Sequence, residues 1–382
     1  MGFTYRIATP ADRNGYIDFI NYVFSHDHQP HDFKALLPKE YGDGRESRAA
    51  HFLALDDSGH IRGCVAALPF TVRLLDQDLK YAYIGSVSVH PYARGEGHMK
   101  HLMAMVEAWL MEQQVDVAVL GGQRQRYQYF GYSKGGMSVR YDFSFDNARH
   151  ALRSVSTDGW TVEEITDAQD PRLAEMHARH AAQPVHGLRE PEHFLDICSS
   201  WYNRPYAFMK DGKVVGYVSA NREHSIAEFI MADAADYPVA AKLWMDSTGA
   251  RRIGILAQPH ELDVTAFLND VAEDGVISSA ENLRVFHWEK ALPAYLALKQ
   301  FLNGLSDGDC RLWVDDRPLH VACRNGQLTV DDQVPEDAPR FTSLKLQELL
   351  FFPAMLLHPC CVGGAPKDWF PLPLSVPPCD GF

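Results

Sequence analysis

The chain has no long apolar run. Its longest, Leu349 to Leu357, is interrupted by Pro353 and falls far short of the roughly 20 residues of a membrane-spanning helix, so no membrane partner is expected. Met1 to Arg6 carries no apolar h-region, so no signal peptide is expected, and Arg6 spoils a myristoylation pattern. Positive charge is scarce: 36 Lys and Arg face 50 Asp and Glu, a net charge of −14. That balance argues against nucleic acid and favours a cationic small molecule or peptide. Seven cysteines occur without any C-x-x-C pair. They read as reduced thiols of a cytoplasmic protein, not as a disulfide framework or zinc site, and the adjacent Cys360 and Cys361 read as packing residues.

What is present centres on residues 87–110. Val87 and Val89 alternate with Ser88 as in a strand, and Pro91 ends it because it cannot donate to a ladder. Arg94-Gly95-Glu96-Gly97 follows. Met99, Leu102, Met103, Val106, Trp109 and Leu110 then recur at helical spacing. A strand, a glycine-bearing basic loop and a helix make a site for a diphosphate, because the first amides of the helix lack internal partners and lie at its positive end. The glycines alone carry little weight: the third glycine of a dinucleotide fingerprint is missing, and no Lys-Ser/Thr follows.

Val-x-Val-x-Pro-x-x-Arg-Gly-x-Gly before a helix resembles the acetyl-CoA motif of GNAT acetyltransferases. The resemblance implies a splayed strand along which the acetyl-pantetheine arm of acetyl-CoA runs. Val87, Ser88 and Val89 would line the arm, with the Val89 N–H on the thioester carbonyl. Arg94, Gly95, Glu96, Gly97, His98 and Met99 would wrap the pyrophosphate. Met99 stands where the common pattern has Gly or Ala, which fits better the Eis-like (enhanced intracellular survival) branch.

With 382 residues, 46% of them apolar, two or three domains are expected. Residues 3–8 read as a strand, and Thr9-Pro10 as the start of a helix carrying Tyr16, Ile17, Ile20, Val23 and Phe24. The polar loop His26 to Asp32 reads better as substrate-facing than as a metal site; Asp27, His28 and Asp32 lie in it, and Asp27 and Asp32 could attract an amine. No metal cofactor is expected. A hairpin at 52–65 and a meander at 68–84 lead into the central strand, Val115 to Leu120 is a buried strand, and residues 138–145 alternate as a strand closing the first lobe. Asn147 to Asp158 reads as a polar connector. Tyr127-Gln128-Tyr129-Phe130-Gly131-Tyr132 matches a Tyr-x-x-Phe-Gly-Tyr hallmark of Eis-like acetyltransferases, whose first tyrosine, here Tyr127, is the implied acid for the departing thiolate.

The second part echoes the first. Gly159 to Ala168 parallels Gly2 to Ala11, and Phe208 to Val218 parallels the first hairpin. Its loop, Ala232 to Pro238, carries aspartates and no Arg-x-x-Gly, so the cofactor is expected to be lost there. After Trp288 a small α+β unit resembles a sterol-carrier-like domain, with a helix at 291–305, short strands at 310–314, 319–323 and 328–330, and a helix capped by Thr342. The expected fold is mixed α/β (α+β): a GNAT domain at 1–148, a degenerate GNAT-like domain at 149–288 and a sterol-carrier-like domain at 289–382. In the Eis-like family a terminal Phe inserts into the first active site and its carboxylate acts as base; Phe382 matches it, with Asp380 beside it as a possible substrate contact. A free α-carboxyl, with a pKa of about 3.3–3.7, is a feeble base unless burial raises it, so sharing with His26 or His28 stays open. The resemblance implies an N-acetyltransferase acting by direct transfer on a primary amine of a cationic small molecule or lysine side chain, and a homo-oligomer, a hexamer among the options. The alternatives are a binding or sensor protein for acetyl-CoA or a lipid, and a transferase of another acyl group.

Overall fold

The computed structural model describes residues 2–27, 29–357 and 361–382. His28, expected to face substrate, and Cys360, expected to pack, lie outside the described residues. In chain order the strands of the first two sheets are β1 (Phe3–Ile7), β2 (Ala50–Asp56), β3 (Ile61–Leu74), β4 (Gln77–Val89), β5 (Val117–Leu120), β6 (Ser133–Gly135), β7 (Ser138–Ser144), β8 (Trp160–Glu164), β9 (Val185–Gly187), β10 (Arg204–Lys210), β11 (Lys213–Ala220), β12 (Ile226–Met231), β13 (Arg252–Ala257), β14 (Asp274–Ser278) and β15 (Glu281–Val285). The chain is a mixed α/β protein built on several sheets.

The first sheet runs β1-β2-β3-β4-β5-β15-β6, with β9 on the free side of β3. The second runs β8-β10-β11-β12-β13-β7-β14. Each has one parallel junction, β4 with β5 and β12 with β13, and its remaining junctions are antiparallel. In each, the strand beside the parallel pair comes from the other half of the chain. β15 sits between β5 and β6, while β7 sits between β13 and β14. Residues 138–144 therefore close the second sheet, not the first as their position in the chain suggested. Local alternation reports which face a residue takes, and it carries no information on which sheet receives the strand.

Residues near 147–158 also differ from expectation. Phe145–Ala151 is a helix begun by Ser144, whose Oγ accepts from the Asn147 N–H at 3.2 Å while the Asn147 side chain caps in return. Its buried face is Ala148. The expected helix at the start is present at Arg13–Asp27, preceded by a short turn over Pro10–Asp12 with a Thr9–Asp12 capping box.

Helix Trp288–Asn303 crosses back to the first sheet, where the Tyr295 and Tyr81 hydroxyls bond. A four-stranded sheet follows, ordered Gln327–Asp331, Arg317–Arg324, Gly308–Val314, Arg340–Phe341, with helix Ser343–Phe351 capped by Thr342. This unit and one face of the first sheet share a single apolar core that includes Tyr81, Tyr83, Tyr295, Phe351 and Trp369. The other face is covered by helix His98–Glu112 through Leu102, Met103, Val106 and Leu110. No helix among the described residues is long and apolar enough to cross a membrane.

The exchange of β7 and β15 makes the two halves interdependent. A polypeptide of residues 1–136 lacks the strand that joins β5 to β6, so it should show no cooperative melt and poor amide dispersion; a sharp thermal transition for that fragment would contradict the exchange.

Candidate active site

The site begins with a defect in pairing. β4 and β5 pair at Tyr81–Val117, Ala82–Ala118 and Tyr83–Val119, and there the ladder stops. β4 continues to Val89 against β3 alone, and the two strands part. Near the parting, Cys64 faces Ser88 but Ala66 faces Gly85. Ser86 and Val87 thus oppose the single Val65, a bulge with Ser86 at φ 52°. Past the bulge the His90 N–H bonds to the Arg62 carbonyl on β3 at 2.9 Å. Successive strand amides point to opposite edges, so the Val89 N–H, and that of Val87 two residues back, point away from β3 into the split.

A cavity of about 580 Å³ fills the outer part of this split. Val87, Ser88 and Val89 form one wall, and Arg126, Tyr129 and Phe130 line it as well. Its end is the loop and helix start, with Arg94, Gly95, Gly97, His98, Met99 and Lys100. Gly95 and Gly97 take φ values of 88° and 86°, and nothing lies within 4 Å of where a Cβ would stand. A group can therefore approach the loop amides closely. Gly97 is the N-cap of the helix, and the N–H of His101 is the first there to find a backbone partner, the Gly97 carbonyl. Those unpaired amides and two cationic side chains, Lys100 and Arg126, suit a diphosphate.

The structure gathers most of the residues expected around the cofactor and separates the rest. Glu96 does not line the cavity; its carboxylate meets Nε2 of the buried His98 at 3.1 Å, while Nδ1 of that ring meets the Tyr5 hydroxyl at 2.9 Å. Both side chains brace the loop. Asp27 lines the cofactor cavity, not an acceptor cleft. Its carboxylate pairs with Arg94 and with His26 Nδ1 at 3.0 Å, and these partners lower its pKa. His26 lines neither this cavity nor the one near the tail. Lys100, Arg126, Tyr129 and Phe130 were missed as cavity residues, although their density of cations in an acidic chain was a usable signal.

Tyr127, in helix Arg124–Gln128, is 6% exposed and packs its ring against Gly122. Burial raises its pKa, so the phenol holds its proton at neutral pH, as a proton donor must. Tyr127 does not line the 580 Å³ cavity, although its neighbours Arg126, Tyr129 and Phe130 do. The Tyr41 hydroxyl lies 2.8 Å from Ser86 Oγ, at the bulge, and 3.1 Å from His51 Nε2. His51 Nδ1 faces the Ala49 carbonyl at 3.2 Å, which only accepts, so Nδ1 carries the hydrogen and Nε2 accepts from Tyr41. Burial drives the His51 pKa down to about 3, so the ring is neutral. The Tyr41 ring stacks on Phe382 at 5.9 Å. Cys64, buried beside the bulge, has its thiol pushed well up by desolvation and is no nucleophile.

The tail is bound along its length. The Met137 N–H bonds to the Leu374 carbonyl at 2.7 Å, and Trp369, Leu372, Leu374 and Cys379 are fully buried. The Phe382 ring occupies the space at Gly85, where a Cβ would stand 2.3 Å from Cδ1. The buried Lys39 ammonium donates to the carbonyls of Cys379 at 2.6 Å and Gly381 at 2.5 Å. Asp380 is no substrate contact: Arg189 Nε and Nη2 donate to its two oxygens at 3.0 and 2.9 Å, and the same guanidinium holds Glu228. All three are buried. Burial pushes both carboxyls up, but Arg189 outweighs it and both end below their ordinary values.

Residues 4–135 match the family model described as an acetyltransferase (GNAT) domain. A search of curated proteins finds no match. Among solved structures the chain is similar to a GCN5-related N-acetyltransferase from Kribbella flavida, at 17% identity, covering 100% of this chain and 98% of that one with a TM-score of 0.67. It is also similar to a probable N-acyltransferase from Enterococcus faecalis (16% identity, 91% and 89% covered, TM-score 0.65) and to Eis1 from Mycobacterium abscessus (15%, 91% and 89%, 0.59). At these identities the likeness shows the fold. The domain match makes the chain an acyltransferase, and a GNAT fold implies an acyl-CoA co-substrate, which the open glycines, unpaired amides and cations of the cavity suit.

Two predictions follow from these contacts. Asp27 competes with a diphosphate for Arg94, so Asp27→Asn should tighten coenzyme A by roughly two- to fivefold in calorimetry at low salt, the range a half-exposed ion pair allows; weaker binding would contradict the competition. Arg189→Leu leaves two buried carboxylates unpaired, at a cost of about 3–5 kcal/mol, and should lower the melting temperature by on the order of 6–10 °C. Because both carboxyls are depressed in the folded state, this latch is complete above the ordinary carboxylate range and is lost as pH falls through their folded values. The difference between wild type and variant should therefore vanish in acid, and a difference that grows in acid would refute it.

Proposed function

We propose that the chain is an N-acetyltransferase that moves the acetyl group of acetyl-CoA directly to a primary amine of a cationic molecule, with the Eis-like layout. In this reading the first sheet is the working GNAT unit and the second a degenerate one; the expected boundaries at 148 and 288 give way to the exchange, which puts β7 in the second unit and β15 in the first. Residues 289–382 are a sterol-carrier-like unit whose tail reaches the active site. The matching strand order of the two sheets supports a duplication. The Ala234–Asp236 turn supports the loss of the cofactor, since Asp233 and Asp236 stand where anionic oxygens would need amides and cations.

The observation that carries the reading is the split between β4 and β5, with unpaired amides along one wall and a glycine-opened helix start at its end. Acetyl-CoA supplies an acetyl group activated as a thioester. In this reading the Val89 N–H donates to the carbonyl oxygen as charge develops on it. Tyr127 holds the proton for the sulfur as it leaves. An amine arrives mostly protonated, and the carboxylate of Phe382 is assigned to take that proton directly or through water. Holding the two reactants together makes a covalent enzyme intermediate unnecessary.

Acetyl-CoA consumption with a panel of amines tests the reading; uptake of the molecule without turnover would leave a binding protein. Tyr127→Phe should cut kcat by about 10²-fold or more with little change in coenzyme A affinity, and unchanged turnover would remove Tyr127 from the mechanism. Removing residues 380–382 should also impair turnover, and a fully active truncation would exclude the tail base.

A further inference from the structure

The exchanged strand β15 meets the first half of the chain at the turn that leads from β5 to Tyr127. Leu120 ends β5, Gly121 and Gly122 make the turn, and helix Arg124–Gln128 begins after Gln123. Two consecutive residues of β15 grip this turn, from the opposite faces that neighbours in a strand take. On one face, a Cβ added at Gly121 would stand 3.6 Å from the Tyr83 hydroxyl and 3.7 Å from Glu281 Oε2. The turn therefore packs on the Tyr83–Glu281 pair, whose own hydrogen bond is 2.7 Å. On the other face, Asn282 Nδ2 donates to the carbonyls of Leu120 at 3.3 Å and Gly122 at 3.1 Å. Both residues reach the turn only because β15 crosses into the first sheet.

The same turn is the seat of the Tyr127 ring. Gly122 takes φ 117°, a region open to glycine, and a Cβ there would lie 2.8 Å from Tyr127 Cε2. The helix that carries Tyr127 has five residues, and its N-cap Gln123 makes no side-chain hydrogen bond. Its start is thus held by the turn before it. Elsewhere the helix is tied by Arg124 Nη2 and Gln128 Nε2, which donate to Glu348 Oε1 at 2.6 and 3.4 Å. Those contacts fix the helix, while the ring itself rests on Gly122. Asn282 is fully buried, and its Oδ1 has no hydrogen-bond partner among the described residues. Turning the amide over would set that oxygen against two carbonyls, so Nδ2 stays on them. An open buried acceptor is destabilising. A leucine of similar shape would avoid that penalty but leave both carbonyls unheld. What the asparagine secures is the position of Gly122. That position matters because Tyr127 does not itself line the cofactor cavity, whose wall includes Arg126, Tyr129 and Phe130. The reach of its hydroxyl is set by where the ring rests.

We propose that Asn282 is a positioning residue for Tyr127: by holding the Leu120 and Gly122 carbonyls it fixes the turn on which the ring rests, and with it the hydroxyl that protonates the departing thiolate. The assignment rests on the proton-donor reading of Tyr127 for its effect on turnover. For the placement of the ring it rests on the hydrogen bonds of Asn282 and the packing at Gly122 alone. As the carbon–sulfur bond breaks, its electron pair stays on sulfur and takes the phenol hydrogen, and the phenolate regains a proton from water. Asn282 lines neither cavity of the split and touches no reactant; it acts through Tyr127. The strand exchange thereby gives a residue from the second half of the chain a part in the chemistry of the first.

Asn282→Leu keeps the volume and removes both donors. In the full chain it should lower kcat for acetyl-CoA consumption by roughly tenfold or more, as displacement of a reacting group allows. Coenzyme A affinity, read by calorimetry, should not change. In a Tyr127→Phe background the same substitution should lower kcat no further, because two residues that act through one hydroxyl are not additive. Gly122→Ala, at an exposed position of the turn, should give the same pattern by pushing the ring directly. Asn282→Ala, which leaves room for water at the two carbonyls, takes the place of Asn282→Leu where leucine prevents folding. Ring placement is read separately, by fluorine NMR of protein made with 3-fluorotyrosine; the signal missing from Tyr127→Phe belongs to Tyr127. That signal should shift or split in the Asn282 variant. An unmoved signal would overturn the proposal whatever the kinetics. Losses in kcat that add in full to those of Tyr127→Phe would also overturn it, and would leave Tyr127 as the donor. A moved signal together with full turnover in Tyr127→Phe would retire the donor and uphold Asn282 as the support of the ring.

Discussion

The separation of β4 from β5 beyond Tyr83 governs the rest of this molecule. A β-sheet normally satisfies its backbone by pairing, and a strand that loses its neighbour must find other partners for its amides or present them to a ligand. Here β4 stays anchored on one side by β3 while a bulge at Ser86 re-aims its outer half. The amides of Val87 and Val89 are left directed into an open wedge. The glycine loop and the cations stand at its wide end, and at the bulge Ser86 meets the Tyr41 hydroxyl while the tail's Phe382 ring fills the space at Gly85.

Holding the wedge open takes material from the whole chain. The exchange of β7 and β15 fixes the two sheets to each other, so β5 cannot move toward β4 without disturbing strands of both halves. The tail adds a second constraint. Lys39 and Arg189, from opposite halves, hold the carbonyls of Cys379 and Gly381 and the Asp380 carboxylate, and the Phe382 ring fills the gap that Gly85 leaves. Glycine is required at that position because any side chain would stand where the ring lies. The second half of the chain is thus a structural participant: it supplies Arg189, Glu228 and Trp201 to the latch.

The most local features were also the most legible. Residues 87–110 announce strand, loop and helix within one short window, because alternation, proline, glycine and helical spacing are all nearest-neighbour signals. The hairpins and the Thr9 and Thr342 caps read out for the same reason. Partners far apart in the chain did not. Asp27 and Asp380 read as substrate contacts, whereas Arg94 and Arg189 claim them, and no local pattern links those pairs. The membership of 138–144 in the second sheet was hidden in the same way: its alternation is equally good against either set of neighbours. Glu281, in a strand of unremarkable sequence, gains its place only through that exchange.

Hydrogen exchange of individual amides by NMR bears most directly on this central constraint. The amides of Val87, Val89 and the first turn of helix His98–Glu112 should exchange rapidly in the free protein, while those of β3 and the paired part of β4 stay protected. Adding coenzyme A should slow that same set, with the loop amides most affected. Amides at 87 and 89 that are already protected in the free protein, or that stay fast when the helix start becomes protected, would contradict an open wedge that receives its ligand along the backbone of β4.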